Sequence, residues 1–144
     1  MIAVDSNILI YAHRSESEWH APARACITNL ACSDGAWAIP WPCIHEFLGV
    51  VTHPKVFRPP TPVEQVMEQV SIWLESPSLV LLGEAVGYWD EFSSVIFSSG
   101  VAGPRVHDAR IAALCRLHGV RELWSADRDF GRFPGLKVRN PLVG

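Results

Sequence analysis

The feature that most restricts the fold of this chain is an alternation. Short apolar runs, Ile2-Ala3-Val4, Ala36-Trp37-Ala38-Ile39, Ser78-Leu79-Val80-Leu81-Leu82, Glu122-Leu123-Trp124-Ser125 and Leu136-Lys137-Val138-Arg139, are separated by longer segments with helical periodicity. Strands that alternate with helices imply a mainly parallel sheet covered on both faces. The expected class is therefore α/β, a three-layer fold with about five strands. Helices are expected over residues 6–13, 18–32, 43–52 and 84–97, over a stretch that Thr61 caps, and over a long stretch ending at Gly119. The Thr61 helix has Pro62 at its first position and Glu64 three residues after the threonine, which is the capping-box pattern. The proline-rich segment 54–62 before it is a loop, read as a lid or a spacer.

At 144 residues, 49% hydrophobic and 19% charged, the chain has the size and composition of one folded domain spanning 1–144. No apolar run is long enough for a membrane span, and Asp5 and Asn7 interrupt the only candidate for a leader, so a cytoplasmic address is expected. The four cysteines, Cys26, Cys32, Cys43 and Cys115, form no C-x-x-C pair and read as reduced core thiols.

The net charge of −3 does not advertise a nucleic-acid partner, but its distribution is uneven. Residues 1–100 hold four Lys/Arg against eleven Asp/Glu, whereas residues 101–144 hold eight against four. Arg105, Arg110, Arg128 and Arg132 belong to this basic third and are candidates for phosphate contact; solvated helix faces explain them equally well.

Asp5 ends the first strand, and in an open parallel sheet ligands collect beyond the carboxyl ends of the strands. Taken alone, Asp5 is more simply a helix cap. Other acids join it: Asp127 follows a later strand, Asp108 opens the long helix, and Glu46 is the one acid on a very apolar helix, where its carboxylate is expected to face protein or to sit on a rim. Two carboxylates about 4 Å apart repel by roughly 4 kcal/mol at an effective dielectric constant of 20, so a cluster must hold protons or a cation. Hard oxygen donors suit Mg2+ or Mn2+. Zinc fits poorly, because His45-Glu46 begins an H-E-x-x-H pattern that has Gly49 in place of the second histidine. With no glycine-rich phosphate loop present, hydrolysis of a nucleic-acid backbone fits such a centre better than nucleotide triphosphate chemistry.

The opening Val4-Asp5-Ser6-Asn7-Ile8-Leu9-Ile10-Tyr11, the isolated Glu46, His107-Asp108-Ala109 and Leu123-Trp124-Ser125-Ala126-Asp127-Arg128-Asp129-Phe130 together resemble the PIN-domain family, and more narrowly the VapC toxins of bacterial toxin-antitoxin pairs. The resemblance implies a PIN-like fold and a Mg2+-dependent ribonuclease in which Asp5, Glu46, Asp108 and Asp127 match the acidic quartet. Ser125 matches its hydroxyl position and Asn7 the polar residue that supports the first aspartate. Asp129 fits the motif either as a ligand or as a residue that orders the turn. The resemblance also implies metal-activated water attacking an RNA phosphodiester, leaving 5'-phosphate and 3'-hydroxyl ends. A homodimer and a VapB-type antitoxin partner are implied with it.

Two other classes compete. A Mg2+-dependent phosphatase or phosphoryl-aspartate domain also places Asp at a strand end, but the phosphatase pattern needs a second Asp where Asn7 stands. A non-catalytic binding module would use the acids only as caps and rim charges.

Overall fold

In the computed structural model, which describes residues 1–143, five strands form one sheet: β1 (Ile2–Val4), β2 (Trp37–Pro40), β3 (Leu79–Leu82), β4 (Glu122–Trp124) and β5 (Lys137–Arg139). Their order is β3-β2-β1-β4-β5, and every neighbouring pair is parallel. Six helices link them: α1 (Ser6–His13), α2 (His20–Cys32), α3 (Trp41–Val51), α4 (Val63–Leu74), α5 (Tyr88–Ser99) and α6 (Val106–Leu117). The α/β class, the strand count and the parallel arrangement agree with the expectation from sequence.

The chain winds outward from β1 through β2 to β3, then returns past β1 to place β4 on its other side. Right-handed crossovers put α1 to α4 on one face of such a sheet and α5 and α6 on the other. The packing agrees: α1 lies against α2 and α3, α3 against α4, and α5 against α6. Side chains of Val4, Ile8, Leu9, Ile39, Phe47, Leu114 and Leu123 fill the core. Helix α6 buries Ala109 and then Ile111, Ala112, Ala113, Leu114 and Cys115 in succession, so it is covered almost all round. Such a helix holds its first turn, and Asp108 with it, in a fixed place.

Three local expectations change. Helix α4 starts at Val63 with Pro62 as its cap and no side-chain capping bond. The Thr61 hydroxyl instead lies 3.1 Å from His13 Nε2 and accepts from Arg14 Nη1 at 3.0 Å. Arg14 also donates to the Pro59 carbonyl at 3.1 Å and lies 4.4 Å from the Phe57 ring centroid. One arginine thus ties the proline-rich segment to the end of α1, and its tertiary bonds replace the local cap. Helix α2 begins at His20 rather than residue 18, with Trp19 as its cap. Helix α5 begins at Tyr88 rather than residue 84, because Gly87 takes the left-handed region at φ 90 and breaks the turn before it. All four cysteines are free, but only Cys43 and Cys115 are core thiols; Cys26 is half-buried and Cys32 exposed, both on α2. No helix among the described residues is long and apolar enough to cross a membrane.

Candidate active site

The strand order reverses beside β1, so the crevice outside the carboxyl ends of β1 and β4 is where an open parallel sheet takes its ligand. Asp5 follows β1 and is 3% exposed. Its Oδ1 accepts the Ser6 N–H at 2.7 Å and its Oδ2 accepts the Ser125 hydroxyl at 2.7 Å. The first bond is a helix cap, and the second reaches across to the end of β4. Cap and site are therefore the same carboxylate.

Asn7 and Ser125 hold it. Asn7 Nδ2 donates to Asp5 Oδ2 at 3.2 Å and to Ser125 Oγ at 3.1 Å, while Asn7 Oδ1 accepts the Ala126 N–H at 3.1 Å. Ser125 Oγ also accepts the Asp127 N–H at 3.0 Å. The first turn of α1 and the segment after β4 are thereby locked together by three polar side chains, each buried or half-buried. Backbone pairing continues the lock, since the Asp5 N–H donates to the Trp124 carbonyl at 3.0 Å.

Asp127 caps the short 3-10 turn Arg128–Arg132, its Oδ1 accepting the Asp129 N–H at 2.9 Å. Asp108 projects from the first turn of α6. Arg105, just ahead of that helix, bridges the acids: its Nη1 lies 3.0 Å from Asp108 Oδ2 and 3.7 Å from Asp127 Oδ2, and its Nη2 pairs with Asp129 Oδ2. Arg132 reaches Asp129 Oδ1 at 3.6 Å. Of the other candidate phosphate contacts, Arg110 pairs with Glu84 at 2.5 Å, and Arg128 is exposed with no ion pair among the described residues.

Glu46 is exposed rather than turned toward protein. The buried stripe of α3 is Cys43, Ile44, Phe47 and Val51, and Glu46 falls about 120° from its centre at 100° per residue. The rim alternative is the one the structure adopts. Its charge still acts on Asp5, where it helps to raise the pKa.

Cys43 adds a contact that the sequence did not signal. It is a buried thiol, as expected, but its Sγ donates to Asp5 Oδ1 at 3.5 Å. Burial, and after it the Asp5 charge, push this thiol well above its ordinary range, so it stays protonated and remains a donor. Burial likewise pushes the Cys115 thiol up to about 12, with the Asp5 charge adding to it.

Burial raises the Asp5 pKa above its ordinary value against the opposing hydrogen bonds from Ser125 and Ser6, and Glu46 adds to the rise. A raised carboxyl pKa means that the folded state holds the proton more tightly than the unfolded chain does. The stability this confers is present at low pH and is lost as pH rises from the unfolded value through the folded one. Wild-type protein is therefore expected to lose stability relative to Asp5→Asn as pH rises above the ordinary carboxyl value of about 4 in metal-free buffer. Denaturant melts across that range read the difference, and a trend favouring wild type as pH rises would show that its hydrogen bonds outweigh desolvation.

Among the described residues, no three His, Cys, Asp or Glu side chains stand close enough to hold a metal ion as they lie. The expected convergence of four acids to mutual contact is thus incomplete: Arg105 gathers Asp108, Asp127 and Asp129, while Asp5 and Glu46 stand apart from that group without any ion pair among the described residues. The donor set nevertheless fits a hard divalent ion. Asp5 is a buried carboxylate with no cationic partner among the described residues, which is costly until a cation compensates it, and Asp108, Asp127 and Asp129, from the start of α6 and the turn after β4, offer the oxygen donors such an ion takes.

The comparisons with known proteins agree with this architecture. The PIN domain family model matches residues 2–136. Ribonuclease VapC48 of Mycobacterium tuberculosis is 32% identical over 140 residues, covering 97% of each chain. Ribonuclease VapC43 of the same organism is 33% identical over 144 residues, covering 100% of this chain and 97% of that one. Among solved structures, VapBC2 from Rickettsia felis bound to promoter DNA superposes with a TM-score of 0.69 at 20% identity, over 96% of this chain and 98% of that one. The Mycobacterium tuberculosis sarcin-ricin loop cleaving toxin VapC20 superposes at 0.66 with 14% identity, over 95% and 99%. The fold is that of an α/β protein on an open parallel sheet, with Asp5 at the point where the strand order reverses. The chain belongs to the PIN-domain family, and its curated relatives are VapC ribonucleases.

Proposed function

We propose that this chain, acting as one domain over residues 1–144, is the Mg2+-dependent endoribonuclease toxin of a VapBC-type pair, with Mn2+ able to replace Mg2+. The observation that carries the reading is Asp5: a buried carboxylate without a cationic partner among the described residues, held in one orientation by Ser125 after β4 and Asn7 in α1. Family membership and the ribonuclease names of the curated relatives support RNA as substrate.

Asp5, Asp108, Asp127 and Glu46 are the residues that would hold the ion. Asp129 is a further acid at its edge, and Asn7 and Ser125 position Asp5. When bound, the ion supplies charge neutralisation at the phosphate and acidifies the attacking water. The protein's own part is geometric. Ser125 and Asn7 fix the Asp5 oxygens, the buried length of α6 fixes Asp108, and the 3-10 turn fixes Asp127. Arg128, exposed and unpaired among the described residues, is suited to a neighbouring phosphate of the RNA.

A VapB-type antitoxin would be the protein partner, by analogy with the Rickettsia felis VapBC2 complex. A homodimer would be the active assembly; Trp89 and Phe97, both well exposed on α5, give it an apolar face to use.

Purified protein incubated with RNA is expected to cut it with Mg2+ or Mn2+, to leave 5'-phosphate ends, and to stop when EDTA removes the ion. Undiminished cleavage in EDTA would overturn the metal-dependent reading.

A further inference from the structure

Among the proposed site residues, one basic side chain reaches three of the acids. Arg105 sits on the 3-10 turn Gly103–Arg105 that leads into α6, and its guanidinium touches Asp108, Asp127 and Asp129. These acids come from two separate segments, the start of α6 and the turn after β4. A guanidinium is planar and permanently charged, and its fork of donors can satisfy several carboxylate oxygens at once. Its own side chain is 38% exposed, so it can leave toward solvent without disturbing the core.

We propose that Arg105 is a built-in counter-cation that competes with the divalent ion for Asp108, Asp127 and Asp129, and so sets the metal affinity of the site. The inference rests on the metal-dependent reading above. Without an ion, Arg105 neutralises acids that would otherwise repel across the crevice. When an ion arrives it must take oxygen lone pairs that Arg105 now occupies, so the guanidinium has to move aside. The stability that Arg105 gives the ion-free protein and the resistance it offers to an incoming ion therefore share one origin. Arg132 does not replace it, because it reaches only Asp129, at 3.6 Å.

Isothermal titration with Mn2+, without RNA, tests this on wild type, Arg105→Met and Arg105→Gln. Both variants are expected to bind Mn2+ roughly tenfold more tightly than wild type, since a competing positive charge has gone from a partly exposed site. Their ion-free melting temperatures are expected to fall, and saturating Mn2+ to raise them by more than it raises wild type. Equal or weaker Mn2+ binding by folded variants would overturn the competition while leaving the metal site intact. Saturable binding absent from wild type and both variants would instead remove the metal site itself, and the competition with it. If one substitution prevents folding, the other gives the same comparison, because Gln keeps a polar side chain while lacking the charge.

Discussion

Asp108→Asn is expected to lower RNA cleavage by roughly a hundredfold or more at fixed Mg2+, because loss of even an outer-shell partner of a metal site commonly costs 10- to 100-fold and Asp108 would be a direct ligand. Folding should survive. The Asp108 side chain is half-buried, and its one ion pair among the described residues is with Arg105. What the folded state loses is a favourable charge in the first turn of α6, worth about 0.3–1 kcal/mol, and a partly exposed ion pair worth about 0–1 kcal/mol. The amide keeps the size of the acid, so the buried run from Ile111 to Cys115 need not repack. A circular-dichroism melt within a few degrees of wild type, together with lost cleavage of a radiolabelled RNA, is the expected pair of results. Cleavage at the wild-type rate would remove Asp108 from the reaction.

This result would test a site whose parts were unequally legible. The strand-to-acid junctions at Asp5 and Asp127 stand out locally, because an apolar run that ends in a carboxylate is a pattern within a few residues. Asn7 and Ser125 came only through the family likeness; their work is a set of hydrogen bonds between residues 118 and 120 positions apart, which no local pattern records. By sequence Arg105 is a candidate phosphate contact or a solvated charge, and the same guanidinium chemistry serves carboxylates equally well. Only the spatial meeting of two distant segments shows that it pairs with acids. Glu46 is the one acid on a very apolar helix, which suggests a carboxylate facing protein, but the buried stripe of Cys43, Ile44, Phe47 and Val51 leaves it on the exposed side. Thr61 displays a well-formed capping box, and Arg14 from another element takes its hydroxyl instead. Local chemistry set which elements form; competition from distant side chains decided which local bonds survive.

Phe47→Ala carries the largest expected cost to stability, and it separates folding from chemistry at adjacent positions. Phe47 is fully buried, with its ring 5.3 Å from the His13 ring in an edge-on contact and 4.9 Å from that of Trp73. One side chain thus joins α1, α3 and α4. Truncating a buried phenylalanine costs about 3–5 kcal/mol through lost transfer energy and the cavity left behind. Against a total of about 5–15 kcal/mol that is a large fraction, and it should lower the melting temperature by roughly ten degrees. Urea denaturation gives the energy directly, with an unchanged slope confirming that the native state is still compact. A loss under about 1 kcal/mol would mean that α3 is held by contacts other than Phe47. The contrast with Asp108→Asn is physical. Phe47 holds α3 through dispersion and excluded water, which act wherever the ring is packed, whereas Asp108, on the proposed function, acts chiefly where a cation and a phosphate would meet its oxygens. Because Glu46 rides on the same helix, one position from the ring but on the solvent side, the Phe47 contacts determine where that carboxylate stands while taking no part in what it binds.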